Sequence, residues 1–182
     1  MMTKETLLKI FRIEDLRLLP EKIMSVLFSQ ERDMVFQELI QQNNYDVSYE
    51  WFQHIYEEEF SERSQKKQDF TPNTLGQLCS QICGNTDGAT HEPTAGNGSM
   101  IIADWWRKCQ QHLVWDFKPS RNKVDCWELS DRSIPILLLN LAIRGIAGTV
   151  HHGDVLTGEE KACYELINEN DDCLCFSTIR KL

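Results

Sequence analysis

The chain lacks any apolar run of membrane-spanning length. Its 182 residues contain nothing near the ~20 consecutive apolar residues a bilayer helix needs, and Glu14, Asp15 and Arg17 interrupt the N-terminal leucines. It also lacks a secretory start: acidic residues come early and no small-residue cleavage site follows. No membrane association is expected, and the expected compartment is the cytoplasm. Positive charge is scarce, with 19 Lys and Arg against 28 Asp and Glu, a net charge of −9. Affinity for DNA comes largely from cationic neutralisation of phosphates, so non-specific binding by the whole surface is disfavoured, while a local basic face stays open. The same charge suits a basic protein partner, such as a nucleic-acid-handling enzyme. Paired zinc-ligand spacing is missing among the seven cysteines, and no metal site is expected. An odd cysteine count without secretory context reads as reduced thiols. Cys79 and Cys83, one helical turn apart on an apolar face, read as core. Cys173 and Cys175 alternate along a strand-like run.

What is present is the composition of a soluble globular protein, 41% hydrophobic and 26% charged. Residues 1–66 read as a helical N-terminal segment. Leu7, Leu8 and Phe11 recur at helical spacing, as do Ile23, Met24 and Leu27, then Met34, Val35, Phe36, Leu39 and Ile40. Trp51, Phe52, Ile55 and Tyr56 form i,i+4 pairs. Glu57–Glu59 reads as a solvated face, and Ser61–Lys67 as a polar linker.

Residues 67–182 alternate between strand and helix. Thr71 and Pro72 suit a helix start, as N-cap and first helical residue, before an apolar stripe of Leu75, Leu78, Ile82 and Cys83 with Gly84 closing it. Strands are expected at Gly88–His91, Lys123–Leu129, Thr149–His152 and Asp172–Ser177. The first is followed by a helix from about Gly98 to His112. The second is followed by one carrying Ile134, Leu137, Leu138, Leu141 and Ile143, with Pro135 tolerated only near its start. A capping box at Thr157-Gly158-Glu159-Glu160 points to a short helix after the third strand. The expected fold is therefore α/β, a partial Rossmann-like sheet of about four mainly parallel strands.

The most informative stretch is Glu92-Pro93-Thr94-Ala95-Gly96-Asn97-Gly98-Ser99, on the first strand-to-helix turn. Gly96 and Gly98 let the backbone turn sharply and approach a ligand, and the next helix aims its free N–H groups at it. Glu92, Glu128 and Asp154 end three successive strands, whose ends meet at one crevice in a doubly wound sheet. An acid after the second strand can accept hydrogen bonds from ribose hydroxyls. Asp154 can accept one from an exocyclic amine.

Four motifs in order, Gln68-Asp69-Phe70-Thr71-Pro72, Glu92–Gly98, Glu128-Leu129-Ser130 and Gly153-Asp154-Val155-Leu156, resemble the S-adenosylmethionine-binding half of N-6 adenine-specific DNA methyltransferases. The nearest kind is the modification subunit of type I restriction systems. The resemblance implies that Phe70, Thr71 and Pro72 touch the methionine end of the cofactor. It implies that Glu92, Pro93, Thr94, Gly96 and Gly98 hold the amino-acid moiety. Glu128 would take the ribose, Leu129 and Ser130 would pack by the adenine, and Asp154 would lie near its amine. Asn140–Gly145 resembles the family's helix between the second and third strands. One family element is missing from these residues: no Asn-Pro-Pro-Tyr/Phe segment occurs, so the cofactor half is expected without the segment that holds and stacks on the flipped adenine.

Three function classes are open. The first is a cofactor-binding, methyltransferase-like protein. The second is a mobile-element anti-defence protein, anti-restriction or anti-CRISPR, that uses a methylase scaffold to bind a host nuclease or its nucleic acid. The third is a nuclease with acid/base or metal chemistry from Glu92, Asp154 and His151 or His152, at most one of the two, since adjacent histidines on a strand point to opposite faces. Arg107, Lys108, Lys118, Arg121 and Lys123, interleaved with Trp105, Trp106 and Trp115, read either as a solvated helix end over core tryptophans or as a nucleic-acid patch. An exposed last strand would leave room for a homodimer.

Overall fold

The computed structural model describes residues 2–55, 71–83 and 87–182. Residues 56–70 and Gly84 lie outside this set, and with them the Glu57–Glu59 face, the linker and the Phe70 assignment. Among the described residues the order is α1 (Lys4–Phe11), α2 (Leu19–Leu27), α3 (Arg32–Gln42), α4 (Asn73–Cys83), β1 (Thr90–Glu92), α5 (Ser99–Cys109), β2 (Val124–Glu128), α6 (Ser133–Ala142), β3 (Gly148–Asp154), β4 (Glu159–Ile167) and β5 (Thr178–Lys181). Short 3-10 turns precede α2 and β2.

The sheet is five-stranded and mixed, in the order β1-β2-β3-β4-β5. The first three strands are parallel, and β4 and β5 are antiparallel additions on the β3 side. This corrects the sequence expectation in three ways. The capping box opens a strand instead of a helix, because Gly158 takes a left-handed conformation (φ +74°) and its N–H closes a turn on Asp154 O at 2.8 Å. The chain then returns along the seven-residue edge of β3. The strand expected at Asp172–Ser177 is a turn, in which Asn168 Nδ2 donates to the carbonyls of Gly145, Asp172 and Cys175, and the true strand begins at Thr178. Finally, among the described residues the strand order does not reverse beside β1, as it does in a doubly wound sheet with its ligand crevice at the switch point.

Burial alternates across the sheet. Val124, Cys126, Glu128, Val150, Tyr164 and Leu166 are buried, while Asp125, Trp127, Thr149, His151, Cys163 and Glu165 are only half-buried. Right-handed crossovers put α5 and α6 on the same, buried side. Every residue of α6 is buried, as expected of a helix apolar all round, and Pro135 sits in its first turn. Helix α2 packs on α6, and one continuous core runs from Leu7, Ile23 and Phe36 to Leu137, Val150 and Leu166.

Helix α4 departs from its expected packing. It docks on α5 through Gly76 and Ser80, and leaves Leu75, Leu78 and Ile82 exposed. A Cβ on Gly76 would lie 3.3 Å from Ala103 Cβ, so the small face allows the close approach. Cys79 is half-buried and Cys83 exposed, so neither is core. The helix starts at Asn73, with Pro72 O accepting the Gly76 N–H at 3.1 Å, one residue later than the sequence suggests.

Candidate functional site

The glycine turn sits between β1 and α5. Glu92 Oε1 accepts the Thr94 N–H at 3.1 Å and closes the turn locally. The Ala95 N–H donates to Trp127 O at 2.8 Å, anchoring the turn to β2. Gly98 has φ +96°, and a Cβ there would lie 3.0 Å from Leu137 Cδ1. Glycine at this position thus permits both the left-handed backbone and the close packing of α5 on α6.

Glu128, the last residue of β2, is buried, and each of its carboxylate oxygens accepts one backbone N–H. Its Oε2 accepts the Gly96 N–H and its Oε1 the Ser130 N–H, each at 2.7 Å. The carboxylate therefore joins the glycine turn to the loop that enters α6. Leu129 beside it is exposed, and Leu156 beyond β3 is 92% exposed. Asp154 ends β3 and accepts the Leu156 N–H at 2.9 Å. Of the residues expected at the cofactor site, Glu92–Gly98 and Glu128–Ser130 are directly linked. Asp154 stands at the end of the neighbouring parallel strand. Thr71 and Pro72 lead into α4.

A second connection was not evident from sequence. Asn140 Nδ2 on α6 donates to Asn97 O in the glycine turn at 2.9 Å and to Glu50 Oε1 at 2.8 Å. Arg144, one turn further on, donates to the carbonyls of Val47 and Tyr49, and through Nη1 to Asn140 O at 2.8 Å. Its guanidinium lies 4.7 Å from the Trp51 ring centroid. Burial pushes the Glu50 carboxyl up, opposed by the Phe52 N–H, Asn140 and Arg144. Burial also draws Arg144 down to about 10, which leaves it charged at neutral pH. The N-terminal segment is thus tied to the glycine turn through buried polar groups. The sequence signal for this was a polar Asn140 in the mostly apolar α6, with Arg144 one turn on, just past the end of the helix.

The basic residues do not form one patch. Lys108 is buried, and its Nζ reaches Asp104 Oδ2 at 2.8 Å, Thr90 Oγ1 at 2.8 Å and Gly88 O at 2.9 Å. Arg107 pairs with Asp104 Oδ1 at 2.8 Å and donates to Ser80 Oγ at 2.7 Å. Lys118 Nζ donates to Asp171 O at 3.3 Å, and Arg121 and Lys123 are exposed. Trp105 is buried, whereas Trp115 is 70% exposed. A cavity of about 270 Å³ runs along β1 between α4 and α5, lined in part by Ser80, Thr90, Glu92, Asp104 and Lys108.

The two histidines of the proposed acid/base set with Glu92 and Asp154 separate, as adjacent strand residues do. His151 and His152 point to opposite faces; His151 meets Asp125 and Glu160, and His152 faces Asp131. No helix among the described residues is long and apolar enough to cross a membrane. The chain matches no protein-family model and no curated protein.

Proposed function

We propose that the C-terminal ends of β1–β3 bind the adenosyl group of S-adenosylmethionine, and that the chain is a DNA adenine methyltransferase-like protein working from its cofactor-binding half. The observation that carries this reading is the Glu128 carboxylate held against the glycine turn by the Gly96 and Ser130 N–H groups. Two donors use two of its roughly four acceptor positions, leaving the others for a ribose diol. Exposed Leu129 and Leu156 offer apolar surface for a base, and Asp154 offers an acceptor for its amine. The N-terminus of α5 faces the same turn and favours the cofactor's carboxylate.

Methyl transfer needs groups that grip the target amine. The outer edge of β1 carries no strand among the described residues, since β4 and β5 add beside β3 instead. The proposal is therefore cofactor binding by this chain, with the acceptor site supplied by a partner. Calorimetric titration with S-adenosylmethionine and S-adenosylhomocysteine tests it. Binding is expected in the unsubstituted chain and is lost in Gly96→Leu and Glu128→Ala. No heat of binding at millimolar cofactor would overturn it.

A second reading rests on the exposed Leu75, Leu78 and Ile82 of α4 together with the −9 charge. These suit a binding protein that uses the scaffold to hold a basic host nuclease, as an anti-defence protein would. Leu78→Asp with Ile82→Asp would then abolish co-purification with such a nuclease, while Glu128→Ala would leave it intact.

A further inference from the structure

The half-exposed face of the sheet carries a cluster that the glycine-turn site does not use. His151 on β3 lies beside Glu160 and Cys163 on β4, and one ligand atom from each of the three lies within 4.8 Å of the others. Cys163 Sγ is 3.7 Å from His151 Nδ1. Two ligands of one tetrahedral zinc ion, at Zn–S of about 2.3 Å and Zn–N of about 2.0 Å, lie about 3.5 Å apart. Glu160 Oε2 contacts the same Nδ1.

A break in strand register creates this arrangement. His152 pairs with Ala162 but Gly153 pairs with Glu160, so Lys161 is an extra residue in β4. In an unbroken strand, residues three apart point to opposite faces. The bulge brings Glu160 onto the face of Cys163 and His151, and turns Lys161 the other way, to Asp131 Oδ1 at 2.7 Å. Gly153 makes room for it, since a Cβ there would lie 2.2 Å from Glu159 O.

The imidazole is held in place before any ion arrives. Its ring stacks on Trp127, centroids 4.5 Å apart and planes at 13°. Its Nε2 is 3.0 Å from Asp125 Oδ1, whose other oxygen is 2.9 Å from His91 Nδ1. A carboxylate on the remote ring nitrogen is the usual outer partner of a metal-bound histidine, because it fixes the proton there and leaves the other nitrogen's lone pair for the metal. Nδ1 faces both Glu160 and Cys163, so the three groups converge on one point as ligands of a single ion would.

We propose that His151 Nδ1, Glu160 and Cys163 Sγ form a three-ligand site for a zinc-class divalent cation, with Asp125 as positioning residue and the fourth position open to water on the exposed sheet face. Mixed nitrogen, sulfur and carboxylate donors suit zinc over magnesium or calcium. Glu160, 36% exposed at its side chain, swings away from Nδ1 to share the ion. Binding releases the Cys163 thiol proton, so affinity falls as pH falls. The site is independent of the cofactor reading, because Glu128 lies on the opposite face of β2.

Cobalt(II) titration of the chelator-stripped chain tests the proposal. One equivalent is expected to bind with a thiolate-to-cobalt charge-transfer band and the intense visible bands of four-coordination, and zinc is expected to displace it. Cys163→Ser should remove the charge-transfer band with the circular dichroism spectrum unchanged. Cys83→Ser, at an exposed cysteine elsewhere, should keep it. Glu160→Gln should keep the band at weaker affinity, and Asp125→Asn should weaken binding by about 10–100-fold. The absence of a cobalt spectrum overturns the proposal. So does a band that survives Cys163→Ser, or an affinity unchanged in Glu160→Gln.

Discussion

Glu128 and Gly96 are 32 residues apart in sequence and joined by a 2.7 Å hydrogen bond, carboxylate to backbone N–H. An acid at this position can serve a ligand, the fold, or both, and the two roles separate by experiment. Glu128→Ala leaves the Gly96 and Ser130 N–H groups without their acceptor. Unsatisfied, partly buried donors cost about 1–3 kcal/mol, so the variant should unfold at lower urea concentration with no cofactor present. An unchanged midpoint would mean that water replaces the carboxylate and that Glu128 has no role in holding the turn.

Gly98 should tolerate no side chain. At φ +96° an alanine is strained whatever the space, and its Cβ would also press on Leu137 Cδ1 at 3.0 Å. The leucine end can move, so backbone strain sets the cost, about 1–2 kcal/mol. Gly98→Ala should lower the thermal midpoint by several degrees, whereas Gly88→Ala (φ +137°, with no neighbour within 4 Å) reports backbone strain alone. An unchanged midpoint in Gly98→Ala would contradict this.

Asp104 sets part of the acid limit of stability. Burial raises its carboxyl, but Lys108, Thr90 and Arg107 outweigh burial and hold it below the ordinary carboxylate range. A group depressed in the folded state stabilises above its unfolded pKa, and that contribution is lost as pH falls through the folded value. Stability should therefore decline below about pH 4. Asp104→Asn leaves buried Lys108 without its counter-charge and should cost about 3 kcal/mol at pH 7. It should also flatten the acid limb, which chemical denaturation at pH 7 and pH 3 would show. Parallel pH profiles for the two proteins would assign the acid limb to other carboxylates.

The sequence carries the glycine turn, the α5 and α6 helices and the parallel β1–β3 unit clearly, because these use local signals: glycines, apolar periodicity and acids at strand ends. The chain beyond Asp154 reads differently. Thr157–Glu160 has the chemistry of a helix cap, and the free edge of β3, a long-range feature, overrides it. The bulge that places Glu160 beside Cys163 depends on pairing register, so a search by ligand spacing could not find it. The stripe on α4 misled for a related reason. Leu75, Leu78 and Ile82 look like a core face, yet Gly76 and Ser80 allow the closer approach to α5.

Arg144 and Glu50 give the most demanding test of how the N-terminal segment is fastened. Arg144 satisfies the carbonyls of Val47, Tyr49 and Asn140 with one planar guanidinium over Trp51, and Asn140 bridges Glu50 to the glycine turn. A lysine ammonium is a point charge on a flexible stem and cannot span these acceptors, so Arg144→Lys should cost about 3 kcal/mol despite keeping the charge. Arg144→Met should cost more, since it also leaves Glu50 without the cation that opposes its burial. Removing both charges in Glu50→Gln with Arg144→Met should recover part of that loss. The double-mutant cycle should therefore give a coupling of about 0.5–3 kcal/mol by urea denaturation. Strictly additive single losses would mean that the two groups stabilise the junction independently, and that Arg144 acts through its carbonyl hydrogen bonds alone.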